Sequence, residues 1–172
     1  MNGMGAGVNR AGLAVSALLI AAGLGGCGFT PLYATPGVAP GLSRVQVVAP
    51  EGRVGFLLRQ DLDDALGRDN AATPAWRLDM QLTQVRNARG LNVDNTAQRY
   101  ELDAQVSYTL TDLATGKVAH SGQVSSAVSY DSAAQPYAGI AARQDTQDRI
   151  AADAAQKIQL DLATWMATRP AS

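Results

Sequence analysis

The 172-residue chain carries one cysteine, Cys27, and one histidine, His120, and these two side chains bound the reactive chemistry open to it. A lone cysteine cannot close an intramolecular disulfide, so Cys27 packs, reacts, pairs between chains or is chemically attached. A lone histidine means that any His-based metal cluster or Ser-His-Asp relay has to be built around His120. His120 falls in phase with apolar residues of a strand and has no nucleophile or carboxylate at motif spacing, so it reads as a structural histidine. Asp61, Asp63 and Asp64 cluster on an amphipathic stretch, where acidic groups more often form a solvated face than an acid–base pair. Neither a GxxxxGK phosphate loop nor a GxSxG, HExxH or CxxC pattern occurs. The expectation is a protein that is not an enzyme and takes no metal or diffusible cofactor.

The surroundings of Cys27 favour attachment. Residues 1–10 are polar and Gly-rich with one charge, Arg10, and Ala11 to Leu24 are apolar or small throughout. That run has the length of a signal-peptide core and falls short of the roughly 20 apolar residues a membrane-spanning helix needs. Leu24-Gly25-Gly26-Cys27 resembles the lipobox of bacterial lipoproteins, in which the cysteine is acylated and becomes the first residue after cleavage. Residues 1–26 are then a cleaved signal peptide, and Cys27 carries N-acyl and S-diacylglycerol lipid. One acyl chain holds a protein marginally and two or more hold it stably, so the mature chain is expected to be tethered. Gly28 stands where an aspartate would resemble the inner-membrane retention signal, which points to the outer membrane.

Composition narrows the partners. The formal net charge is −1 and aromatic residues make up 5%, without a long single-sign charge run. A binder of nucleic acid needs a basic stripe on the phosphate backbone, and none is present. Pro31, Pro36, Pro40, Gly37 and Gly41 make residues 27–42 read as an extended, irregular tether.

The elements that position these residues follow from periodicity. Ser43 to Ala49 is short and β-branched, a strand ending at Pro50; Val54, Leu58, Leu62 and Leu66 recur at helical spacing up to Gly67. Trp76, Leu78, Met80 and Leu82 alternate with Arg77, Asp79, Gln81 and Thr83, and Val85 breaks the phase, so a bulge near Thr83-Gln84 is expected. A second run alternates from Tyr100 to Leu110, and a third places Val118, His120, Gly122, Val124, Ser126, Val128 and Tyr130 on one face. The segment Thr111 to Lys117 reads as the turn of an antiparallel hairpin, while Val85 to Gln98 reads as a longer exposed loop, the best candidate for binding. Ile140, Ile150, Ala154, Ile158, Leu162 and Trp165/Met166 fall on one stripe of a terminal helix starting near Tyr137. The expected fold is α+β, a two-layer sandwich in the order β-α-β-β-β-α, with two helices on one face of a four-stranded, mostly antiparallel sheet. The domain spans residues 43–167, and 168–172 form a tail.

Taken together, the lipobox, the start Cys27-Gly28-Phe29-Thr30-Pro31-Leu32-Tyr33, the entry Thr96-Ala97-Gln98-Arg99-Tyr100 and the turn Thr115-Gly116-Lys117 resemble the lipopolysaccharide-assembly lipoprotein family LptE in its alphaproteobacterial form. The Ala-rich stretch Arg149 to Ala155 also fits. The resemblance implies a plug inside the large outer-membrane β-barrel LptD, on the periplasmic side, that supports assembly of the barrel and delivery of lipopolysaccharide to the outer leaflet. Lipopolysaccharide is rich in phosphate, which arginine binds bidentately, and Arg86, Arg89 and Arg99, in or beside the long inter-strand link, are the candidates. The alternative for these three is scattered, solvated charge. Two other classes stay open: an auxiliary lipoprotein of an envelope lipid ABC transporter, and an anchored hydrolase with a pocket built on His120 and carboxylates.

Overall fold

A computed structural model describes residues 36–91, 97–132 and 136–169. The elements run α1 (Val38–Leu42), β1 (Val45–Val48), α2 (Arg53–Ala65), β2 (Trp76–Leu91), β3 (Ala97–Asp112), β4 (Val118–Asp131) and α3 (Pro136–Thr168). The sheet order is β1-β2-β3-β4, with β1 parallel to β2 and the other two pairings antiparallel. The α+β class and the mostly antiparallel sheet are those expected from the alternation. The parallel pairing of β1 with β2 requires a crossover, which α2 supplies.

Three local expectations are corrected. The prolines before residue 43 predict an extended tether, yet Val38–Leu42 forms a short helix whose Val38 and Leu42 are buried in the core. Two well-spaced apolar side chains outweigh the weak local preference once a helix surface is available to cover them. The bulge expected near Thr83-Gln84 is absent: β2 and β3 pair in unbroken register from Trp76↔Asp112 to Leu91↔Ala97. Val85 pairs with Asp103 and stands 52% exposed on the open face of the sheet. The apolar phase lapses there because the strand has run past the core, so nothing requires it to be kept. The irregularity lies instead between β3 and β4, where Leu110 faces His120 but Thr111 faces Val118. Ala119 is the extra residue, and it turns Val118, 63% exposed, off the face that His120 shares with Val124 and Val128.

The core lies between one sheet face and the helices. Leu78, Leu110, Leu58, Leu62, Ile150, Ile158 and Leu162 are all fully buried. Ala151, Ala154, Ala155 and Ala163 are buried beside them, and their small side chains let α3 approach its neighbours closely. Gly67, at φ 61, ends the chain's run along α2 in a conformation that other residues reach only with strain.

Length decides the rest of the architecture. The 16 residues of β2 span roughly 50 Å at strand rise. The 33 residues of α3 span about the same. The 13 residues of α2 cover only about 20 Å. One long helix therefore accompanies the sheet from end to end, while the second covers only the half nearest α1. At the far half, beyond Leu82 and Leu102, the same sheet face carries Gln84, Arg86, Tyr100 and Tyr130.

Candidate functional site

Cys27 lies outside the described residues. The three arginines read as one group are divided by the sheet. Arg86 and Arg89 sit in β2 and Arg99 in β3, because the link expected to be a loop from Val85 to Gln98 is strand on both sides and only residues 92–96 lie outside the description. Arg89 and Arg99 are register partners on the open face. Arg86, paired with Leu102, is on the opposite face, with its guanidinium 4.8 Å from the Tyr100 ring centroid.

The open face is polar, and its charged side chains hydrogen-bond to neighbours on the same face. Arg89 Nη2 donates to Glu101 Oε1 at 2.7 Å, Arg99 Nε to Asp131 Oδ1 at 2.9 Å, and Asn87 Nδ2 to Asp103 Oδ2 at 2.7 Å. The hydrogen bond to Glu101, and then its charge, hold the Arg89 guanidinium above its ordinary range. Ser107, Ser121, Gln123, Ser125 and Ser129 continue this surface across β3 and β4, all exposed. The ladder is a sheet property: each partner stands across a strand boundary, so sequence spacing alone cannot pair them.

On the helix-covered face, His120 has a structural setting. Its Nε2–H donates to Asp161 Oδ2 at 2.6 Å, and the Tyr108 hydroxyl donates to the same oxygen at 2.5 Å. Its ring stacks on Trp165 at 5.4 Å, and Trp165 meets Trp76 edge-on at 5.5 Å. Burial pushes the Asp161 carboxyl up, but the hydrogen bonds from Tyr108 and His120 and the attraction of His120 leave it below the usual carboxylate range. Tyr108 is pushed up, first by burial and then by its bond to Asp161. Gly122 makes the arrangement possible, because a Cβ there would overlap the Tyr108 hydroxyl and ring. His120 and Asp161 line neither of the clefts of about 410 Å³ and 380 Å³. They tie α3 to β3 and β4.

The acidic cluster on α2 is likewise accounted for. Asp63 bridges Arg59 at 3.5 Å and Arg68 at 3.3 Å. Asp61 is raised by partial burial and by the neighbouring Asp64 and Asp148 charges. Among the described residues no group of three or more His, Cys, Asp and Glu is placed to hold a metal, and no helix is long and apolar enough to cross a membrane.

The 410 Å³ cleft is built from residues far apart in the chain. It lies on the helix-side face at the far end of the sheet, between Arg53 at the start of α2, Arg86, Tyr100, Tyr130 and the Arg143–Gln147 turn of α3. A signal for it does exist in the sequence: the buried stripe of α3, Ile150-Ala154-Ile158, continues backwards in phase as Arg143 and Gln147, while Leu78-Met80-Leu82 continues forwards as Gln84 and Arg86. Both runs turn polar, but only the antiparallel course of α3 shows that they do so at the same place.

Comparison with known proteins agrees with this architecture. A protein from Caulobacter crescentus, described as a lipoprotein, is 51% identical, with 78% of this chain and 99% of that chain covered and a TM-score of 0.67. Rare lipoprotein B from Shewanella oneidensis shares the fold at 15% identity and a TM-score of 0.53, covering 70% of this chain and 92% of that one. Lipoprotein B from Nitrosomonas europaea does so at 16% identity and a TM-score of 0.56, covering 73% and 85%. No curated protein sequence matches. The family model LptE, lipopolysaccharide-assembly, matches residues 42–162. With its polar sheet face, its long accompanying helix and that match over most of its length, the chain belongs to the LptE family of lipopolysaccharide-assembly proteins.

Proposed function

We propose that the protein is an outer-membrane lipoprotein, acylated on Cys27 and held on the periplasmic side, that occupies the lumen of the LptD β-barrel. There it supports assembly of the barrel and helps lipopolysaccharide reach the outer leaflet. The role is non-catalytic, and the only non-protein group it needs is the lipid on Cys27. Residues 1–26 act as the signal peptide, and the segment after Cys27 links the lipid to the folded domain.

The observation that carries the reading is the open sheet face. The interior of a large outer-membrane barrel is polar. A plug must be able to lose water against that wall without stranding charge. The Arg89–Glu101 and Arg99–Asp131 pairs give each guanidinium a carboxylate partner, Asp103 accepts from Asn87, and the serines and glutamines beside them can both donate and accept. In this role Arg89 and Arg99 are wall-facing residues, and direct contact with lipopolysaccharide phosphate falls to Arg86, on the other face.

The test is affinity capture of the full-length tagged protein from detergent-solubilised outer membranes. Stoichiometric recovery of a large β-barrel is expected. Recovery of the protein with inner-membrane transporter subunits and no barrel would replace this reading with that of a transporter accessory.

A further inference from the structure

The two edges of the sheet are finished differently. Along β4 the edge is guarded: α3 runs beside it, and Lys157 Nζ donates to the Ser125 carbonyl, which points out of the sheet, at 2.8 Å. Along β2 the cover is short. β1 pairs only with Trp76 to Asp79, while β2 continues to Leu91 with no strand beyond it among the described residues.

The direction of the free groups follows from the ladder. Trp76 N–H donates to the Arg44 carbonyl, on the β1 side, and the β2–β3 register is unbroken. Even-numbered residues of β2 therefore aim their N–H and C=O away from β3, and odd-numbered residues bond to it. Past β1, Leu82, Gln84, Arg86 and Ala88 present a row of outward donors and acceptors; Leu82 is half-buried and the others are exposed. Sheets blunt such edges with proline, lysine, a bulge or a covering element. The run Leu82-Thr83-Gln84-Val85-Arg86-Asn87-Ala88 has neither proline nor lysine, and its register has no bulge. Its one charge, Arg86, turns inward over the Tyr100 ring, 4.8 Å from the centroid.

An edge left open over that length is a template for another strand. Charge decides which. From Leu82 to Leu91, β2 carries Arg86 and Arg89 and no carboxylate. A second copy of this chain paired there would set the arginines of both copies side by side with no acid in either strand, and like charges across a strand boundary destabilise the pair. A strand bearing Asp or Glu answers them, and Val85, half-exposed beside the edge, offers it an apolar neighbour. We propose that the β2 edge from Leu82 to Ala88 takes an extended, acidic segment of another protein as an added strand. The proposal deepens the plug reading and rests on it for the source, a segment of the enclosing barrel; the edge borders the open sheet face, so one partner reaches both.

The test is residue-resolved amide exchange on the full-length protein in detergent, alone and in the captured barrel complex. Alone, the amides of Leu82, Gln84, Arg86 and Ala88 are expected to exchange fast, and those of Thr83, Val85 and Asn87, bonded to β3, slowly. In the complex the first set should slow at least about tenfold, which erases the alternation. Barrel recovered with these amides still fast overturns the proposal and leaves the plug standing. Slowing that grows with the concentration of the protein alone would make the occupant a second copy and overturn it too. Gln84→Pro/Ala88→Pro deletes two outward N–H groups without touching the β3 ladder, where an edge strand tolerates proline. With the urea midpoint retained, affinity for the barrel should fall about tenfold, and Gln84→Ala, which keeps its N–H, should bind as wild type. Unchanged affinity in the proline variant, or equal loss with Gln84→Ala, would overturn strand addition; the exchange pattern decides it even where the proline variant does not fold. Peptides of about ten residues, alternating Val with Glu or Val with Lys, isolate the charge. The Glu peptide should slow the outward amides at a concentration at least about tenfold lower than the Lys peptide. Slowing by neither, or by both alike, would overturn the acidic class. Slowing by the Glu peptide in a protein that recovers no barrel refutes the plug alone.

Discussion

Replacing Asp161 with alanine removes the oxygen on which Tyr108 and His120 both converge, and the structure sets the size of the loss. A hydrogen bond to a charged group contributes about 1.5–3 kcal/mol. The Asp161 side chain is 44% exposed, so water competes for it and the two bonds do not reach their sum. Tyr108 is different: at 3% exposure its hydroxyl would be left without a partner, which costs about 1–3 kcal/mol. The expected loss is about 2–3 kcal/mol, measured by urea unfolding followed through tryptophan fluorescence, since Trp165 stacks on His120. The pH dependence gives an independent check. Because the folded-state pKa of Asp161 lies below the ordinary value, its contribution is complete above the usual carboxylate range near pH 4 and is lost as pH falls through the folded value. Tyr108 behaves in the opposite sense: with its folded pKa raised, its contribution is present below about pH 10 and fades as pH rises beyond it. Asp161→Ala should therefore flatten the acid limb of the stability curve as well as lower it. A loss below about 0.5 kcal/mol with the acid limb unchanged would refute the assignment of this network as the tie between α3 and the sheet.

Gly122→Ala should cost about 1–3 kcal/mol by driving a methyl group into Tyr108, and a double-mutant cycle with Tyr108→Phe should show the two changes to be non-additive. Additivity would mean that the glycine serves the backbone and not the tyrosine. Leu42→Ala should cost about 2–5 kcal/mol in chemical denaturation, because α1 is part of the core; a loss within 0.5 kcal/mol or so would return residues 38–42 to the tether. Cys27→Ala should abolish incorporation of labelled palmitate and release the protein from washed membranes; retention with lipid still attached would place the modification elsewhere.

The alternation of β2, β3 and β4 and the stripe of α3 were legible because each repeats over many residues with one face in the core. Leu78, Leu110, Ile150, Ile158 and Leu162 are buried as their spacing requires. The places where the pattern misled were those where the environment changes along an element. Val85 suggested a bulge because apolar phase is assumed to track register, but the strand simply outruns its helix. Val118 seemed in phase because one extra residue, Ala119, is invisible to a period-of-two reading. Arg86, Arg89 and Arg99 were grouped by nearness in sequence, and pleating placed Arg86 on one face and the other two on the other.

The sequence by itself determined the family and the fold class, singled out Cys27 as the proposed point of attachment, and carries none of the common catalytic motifs. Those are properties of local patterns and of residue types present or absent. Only the tertiary structure decided which arginines stand together. Arg53, Arg86 and Arg143 are far apart in the chain, and they meet because α2 is short, α3 runs the full length of the sheet, and β2 extends past the core. Element lengths and their antiparallel course, which no local pattern encodes, turn three scattered charges into one wall of a cleft.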